Sequence, residues 1–284
     1  KVNFVVLDRK YANRMKLRSI LLLLLLSSSS TSAASPLALA IQRGDLKEFN
    51  ALLVASPDSA RSEDLQKRTA LHHATRWASI EHGAAHRLAM VEKLTPISND
   101  LNSVDIFGKT ALHIAAEHSY PEGPGVAMMK HLIKSGADMN IQDKKGLTPL
   151  MLAAIKGFEK AGVFLVESGA HLDIKSNHNE YSAFLYASRK GRMHIVRALL
   201  SKGIDHKQRC SYGNTGFHLA EFAGHKEVAD FIRKHVGDDF ITSSVMNAEE
   251  EKMWEKYPKG AKERTEGPMG GEETERGSGA ESMQ

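Results

Sequence analysis

Six stretches of the chain repeat one order of polar and apolar positions. They are "SPLALAIQRG" from Ser35, "TALHHATRW" from Thr69, "TALHIAAEHS" from Thr110, "TPLMLAAIKG" from Thr148, "SAFLYASRKG" from Ser182 and "TGFHLAEFAG" from Thr215. Each opens on a hydroxyl residue and carries alanine at its sixth position: Ala40, Ala74, Ala115, Ala153, Ala187 and Ala220. The starts lie 34, 41, 38, 34 and 33 residues apart, a period that means stacked supersecondary units. Serine or threonine at the start predicts a helix N-cap, because its oxygen can accept a free backbone N–H one turn in. Pro36 and Pro149 follow at the first helical position, where a missing N–H costs nothing. The central alanines allow neighbouring helices to approach closely. A second apolar segment follows, as in "MKHLIKSG" from Met129 or "VRALLSKG" from Val196, and ends at Gly136, Gly169 or Gly203, the residue type that closes a helix. The predicted unit is helix, turn, helix, loop.

The loops carry their own pattern. Five residues before each later start stands Asp64, Asp105, Asp143, Asn177 or Cys210, and two before it stands Lys67, Gly108, Gly146, Glu180 or Gly213. Aspartate followed three residues on by glycine predicts a tight turn, with glycine supplying the positive φ. "DKKGLTPLMLAAIKG" from Asp143 to Gly157, followed by "VFLVESGAHLD", resembles the ankyrin repeat family, and the likeness recurs in phase from Ser35 to Gly237 over about six repeats. The resemblance implies an all-α solenoid of stacked helix-turn-helix units with short β-hairpin loops. It also implies a non-catalytic scaffold or protein-protein interaction module. Lys67, Glu180 and Cys210 depart from the family's turn residues, so those three hairpins are expected to be less regular.

Relative to a 34-residue unit, the second has seven extra residues around "WASIEHGAAHR" and the third has four around "HSYPEGPG", both placed between the two helices of their unit. Beyond Gly237 the repeat stops. Residues 238–257 contain "AEEEKMWEKY", an amphipathic segment expected to cap the last repeat, and 258–284 read as a disordered tail. Residues 1–34 form a leader. From Met15, "MKLRSILLLLLLSSSSTSAAS" has the basic start, short apolar run and small residues of a secretory signal peptide, with an organellar presequence and a cytoplasmic protein as alternatives. No Asn-x-Ser/Thr sequon supports passage through the secretory pathway, and seven aliphatics are too few for a stable membrane span.

Charge changes the picture less than its total suggests. The formal charge is +4, but the leader holds six basic residues and one acid, leaving 32 basic against 33 acidic residues elsewhere. Global basicity is therefore no argument for nucleic acid. One cysteine, Cys210, excludes an intrachain disulfide and a cysteine-based zinc cluster.

Histidine is the candidate for chemistry. In ankyrin repeats the residue of the His72 slot braces loops, and the resemblance carries that role to His72, His113 and His218. His73 is odder, since its slot is aliphatic in four units and tyrosine in one. A metal-binding or hydrolytic protein would draw on His82, His86 and His118, although no third ligand has diagnostic spacing. No nucleophile elbow or phosphate-binding glycine loop occurs. The expected chain is not an enzyme and needs no cofactor, metal or small-molecule substrate. What remains is the family's concave face, made of hairpin tips and inner helix ends. Eight of its 25 positions are Lys or Arg and one is acidic. The expected partner-binding residues are Arg76, Trp77, Phe107, Lys109, Lys144, Lys145, Lys156, Tyr181, Arg189, Lys190 and Tyr212. Their mixture of basic and aromatic side chains points to an acidic protein or peptide, bound by a monomer, with an RNA-binding adaptor as the weaker reading.

Overall fold

Serine or threonine precedes every inner helix, as the pattern requires. In the computed structural model, which describes residues 35–76, 84–119 and 122–236, the inner helices are α1 (Pro36–Arg43), α3 (Ala70–Thr75), α5 (Ala111–Glu117), α7 (Pro149–Lys156), α9 (Ala183–Arg189) and α11 (Gly216–Phe222). The Ser35 hydroxyl accepts the Ala38 N–H at 3.2 Å, and Thr148 and Ser182 accept Met151 and Leu185 at 3.4 Å. Each inner helix turns back into an outer one: α2 (Leu46–Ala55), α4 (Ala84–Leu94), α6 (Glu122–Lys134), α8 (Glu159–Glu167), α10 (Met193–Ser201) and α12 (Lys226–Val236). A 3-10 turn, Pro57–Ala60, follows α2. Gly136, Gly169 and Gly203 take the positive φ that ends the outer helices of the third, fourth and fifth units.

Inner helices pack on inner helices of the next unit and outer on outer, so two layers share one continuous core. All six central alanines are buried, which lets the layer close up. Glycine makes the closest approaches in both layers: a Cβ added to Gly216 would stand 2.5 Å from the Phe184 ring between α9 and α11, and one added to Gly162 2.4 Å from Ile195 between α8 and α10.

The hairpins hold fewer hydrogen bonds than strands need, and no strand forms among the described residues. In the second unit Asp64 N–H donates to the Arg68 carbonyl and Lys67 N–H to the Asp64 carbonyl, while the Asp64 carboxylate accepts the N–H groups of Gln66 and Arg68. Asp105 and Asp143 organise their turns identically. The expected irregularity fails at two of its three positions. Lys67 adopts φ 56° and keeps the bonds that glycine makes elsewhere; Cys210 keeps both backbone bonds. Only the fifth hairpin differs. There Ser176, not Asn177, pairs with Tyr181, so the loop is one residue longer, and Glu180 sits at φ 53°. A left-handed non-glycine residue costs about 1–2 kcal/mol, partly offset by glycine's own chain entropy. Lys67→Gly is therefore expected to raise stability by roughly 0.5–1 kcal/mol in urea denaturation.

The insertions are less loop-like than expected. Residues Glu122 to Gly125 begin α6, and Ala84 to Arg87 begin α4. Gly125 backs onto the buried Ser119, which makes that approach possible. The leader, the capping segment of 238–257 and the tail lie outside the described residues.

Candidate partner-binding face

The face depends on how the hairpins are held. His72 is buried on α3; its Nδ1 accepts the Thr69 N–H at 3.2 Å, and its Nε2–H donates to the Lys109 carbonyl of the next hairpin at 3.1 Å. His113 repeats this one unit on, with Nδ1 3.1 Å from Thr110 N and Nε2 3.0 Å from the Leu147 carbonyl. His218 pairs with Thr215. Burial holds the His72 and His113 imidazoles below their ordinary pKa, so they are neutral donors and acceptors. Each braced hairpin also shares one backbone bond with the next. Ile106 N–H reaches Gln66, Lys144 reaches Phe107, Asn177 reaches Lys145 and Ser211 reaches Asn179. The tips form one row.

His73 has a different task. Its Nε2–H donates to the Asp64 carboxylate at 3.0 Å and Nδ1 accepts from the Gln42 amide at 3.4 Å, tying α1 to the second hairpin. Burial pulls its pKa down against the attraction of Asp64. Burial alone would raise the Asp64 carboxyl, but bonds from Arg68, Gln66 and His73 hold it below the usual range. Arg87, 3% exposed, completes the arrangement. Its guanidinium donates to the Arg76 carbonyl at 2.7 Å, to Gln42 at 3.1 Å and to His73 at 3.3 Å, all at the C-terminal ends of α1 and α3. Carbonyls at a helix C-terminus carry partial negative charge, which is what a buried cation needs.

The expected contact residues fall into distinct groups. Arg76, Lys144, Lys145 and Lys156 are exposed, as is Phe107 at 50%. Lys109 is half-buried and pairs with Glu117, whose other oxygen lies 3.5 Å from Lys156. Burial opposes ionisation of Glu117, but Lys109, His118 and Lys156 hold its pKa down. His118 stays neutral because burial and the cations Arg76, Lys109 and Lys156 outweigh Glu117. Arg189 and Lys190 are half-buried, each with further interactions in the stack, and Tyr212 is half-buried against the core. Tyr181 is a correction. At 1% exposure it is a core residue, its ring edge-on to Tyr186 and 5.7 Å from the Arg189 guanidinium, and burial pushes its phenol up to about 12. It supports Arg189 from beneath and meets no partner. Trp77 and His82 lie outside the described residues, among which no three His, Cys, Asp or Glu side chains converge as a metal site would require. No helix among the described residues is long and apolar enough to cross a membrane.

Sequence reasoning did not single out Arg87 or the bridging role of Glu117. For Glu117 a signal existed, since it is the one acid among the phased positions and stands level with Lys109 and Lys156. For Arg87 none did, because an arginine ending an insertion looks solvent-exposed.

The family model for ankyrin repeats in three copies matches residues 82–176, 122–209 and 164–243, together more than half of the chain. The chain belongs to the ankyrin repeat family. A solved structure, the ankyrin repeat domain of Bcl-3, superposes with a TM-score of 0.59 at 22% identity, covering 72% of this chain and 88% of that one. At that identity the likeness concerns the fold alone. Among curated proteins, the B-cell lymphoma 3 protein homolog of Mus musculus is 27% identical over 48% of this chain and 30% of its own length. The ankyrin repeat and SAM domain-containing protein 6 of Mus musculus is 36% identical over 31% of this chain and 10% of its own. The glycerophosphocholine phosphodiesterase gde1 of Schizosaccharomyces pombe is 33% identical over 39% of this chain and only 9% of the enzyme. The matches thus span about a tenth to a third of these relatives. Ankyrin repeats generally mediate protein-protein interaction, and the fold is typically non-catalytic.

Proposed function

We propose that this chain is a non-catalytic binding module whose hairpin tips and inner helix ends take an acidic protein segment. The observation that carries the reading is the excess of basic over acidic side chains along the hairpin tips and inner helix ends. Glu117, the one acid of the face, lies against Lys109 and Lys156, and Glu180 in the fifth hairpin lies 3.6 Å from Lys175. Lys144 and Lys145, exposed at the middle of the row of tips, make no ion pair among the described residues. Arg76 adds positive charge at one end and Arg189 and Lys190 at the other. Such a surface steers an acidic partner and repels a basic one.

A short labelled glutamate-rich peptide and its glutamine counterpart test the proposal by fluorescence anisotropy. The glutamate peptide is expected to bind in a salt-sensitive manner. Reversal of Lys144, Lys145, Arg189 and Lys190 to Glu should weaken it at least about tenfold, or ~1.4 kcal/mol. Equal binding of the two peptides, or binding unchanged by the reversals, contradicts it. A filter-binding assay with RNA across a salt titration is the control; tighter binding of RNA than of the acidic peptide would replace the protein partner with a nucleic acid.

A further inference from the structure

Among the described residues, exposed large apolar side chains are grouped. Among the described residues four large ones are exposed, Val54, Leu65, Val104 and Phe107, and three of these belong to the second and third hairpins. Leu65 is 73% exposed, although its own turn is fully bonded through Asp64, so nothing in the hairpin requires an aliphatic residue there. Phe107 is 50% exposed on the neighbouring tip, with the half-buried Ile106 beside it. The tips are joined in order. Ile106 N–H bonds Gln66, next to Leu65, at 3.0 Å, and Lys144 N–H bonds the Phe107 carbonyl at 3.0 Å. The basic pair Lys144 and Lys145 therefore stands directly beside the apolar pair along the same row. Grouped apolar exposure of this kind marks an interaction surface, whereas isolated exposed residues do not.

We infer that the partner segment is bipartite, with an apolar block over Leu65 and Phe107 and an acidic block over Lys144 and Lys145. This rests on the acidic-partner reading above and adds the order of its chemistry. Inner helices pack at roughly 8–10 Å and an extended chain advances about 3.3 Å per residue, so one repeat corresponds to about three partner residues. The apolar residues are then spaced about three apart, with the acidic ones about three further along. Apolar anchors supply affinity by leaving water, while the charges fix register and exclude basic segments.

The test uses the full chain and two peptides of one composition. One carries apolar residues grouped at one end and glutamates at the other, synthesised in both chain directions; the second alternates them. One of the grouped directions is expected to bind at least about tenfold tighter than the alternating peptide. Leu65→Ser with Phe107→Ser should abolish that preference while leaving glutamate-dependent binding in place. Both side chains are exposed, so the variant should keep the thermal midpoint of the parent, which is measured alongside. Equal binding of grouped and alternating peptides, with both still weakened by Lys144→Glu and Lys145→Glu, overturns the bipartite segment and leaves the acidic reading standing. Binding by neither peptide overturns both.

Discussion

Replacement of Arg87 by alanine is expected to cost about 3–5 kcal/mol and to split unfolding into two steps. The guanidinium is buried and donates to carbonyls of Gln42, His73 and Arg76, so its loss leaves a cavity and unpaired acceptors at the ends of two helices. Both defects rank among the most costly a point substitution makes. The consequence goes further in a stack, where each repeat contacts only its neighbours. Arg87 and His73 are what reach from the second unit to Gln42 of the first, so without Arg87 the first unit should melt ahead of the rest. Arg87→Lys should be almost as damaging, because one ammonium cannot present the fork that serves separated carbonyls. Urea denaturation with hydrogen exchange resolved by segment checks this: early exchange confined to residues 36–60 is expected, and a single cooperative transition with unchanged midpoint would refute the role. Arg76 lies on the proposed binding face and its carbonyl is held by Arg87, so the variant should also loosen one end of that face.

The second large effect concerns His113 and pH. Its ring links the third unit to the fourth through Thr110 and the Leu147 carbonyl, at 0% exposure. His113→Met places there the residue that the fourth unit carries at Met151, filling the volume but leaving those partners unpaired. A loss of about 2–4 kcal/mol at neutral pH is expected. The same geometry gives a pH dependence. Burial lowers the folded-state pKa of His72, His73 and His113, while the unfolded chain takes up protons near 6.5. Below that pH the unfolded state holds more protons than the folded state, so stability is complete above about 6.5 and falls as the solution is acidified. Asp64, whose folded pKa is lowered, adds a further loss below its ordinary value of 3.8. Thermal midpoints should therefore decline from pH 7 to pH 5 in the parent and decline less steeply in His113→Met. A parent whose midpoint rises on acidification would contradict the neutral-imidazole arrangement.

What could be read in the sequence followed from repetition. Thr110, His113 and Ala115 recur in phase with Thr69, His72 and Ala74, so one unit's physics explained the others. Features made once were harder to see. Tyr181 shares a tip position with Lys109 and Leu147, and phase alone does not separate the half-buried Lys109 from Leu147 and Tyr181, which are buried. The Asp64 carboxylate explains why Lys67 tolerates a left-handed backbone, but its hydrogen bonds are a property of the folded turn. Arg87 acts across 45 residues on the Gln42 carbonyl, a pairing that spacing within a unit does not encode. The glycines and Pro124 in "PEGPG" suggest a loop, whereas Glu122 to Gly125 form the first turn of α6, where proline is tolerated.

If the row of hairpin tips receives an acidic partner segment, a crosslinker on that row must capture it. Photo-crosslinking amino acids placed at Lys145 and, as a control, at Lys202 on a different edge of the stack measure it most directly in extracts of the native organism. Mass spectrometry of the captured peptides is expected to show, from position 145 alone, one partner segment rich in Asp and Glu with apolar residues grouped beside them. Capture of that partner only from position 202, or capture at 145 of segments without an excess of acidic residues, would contradict the account.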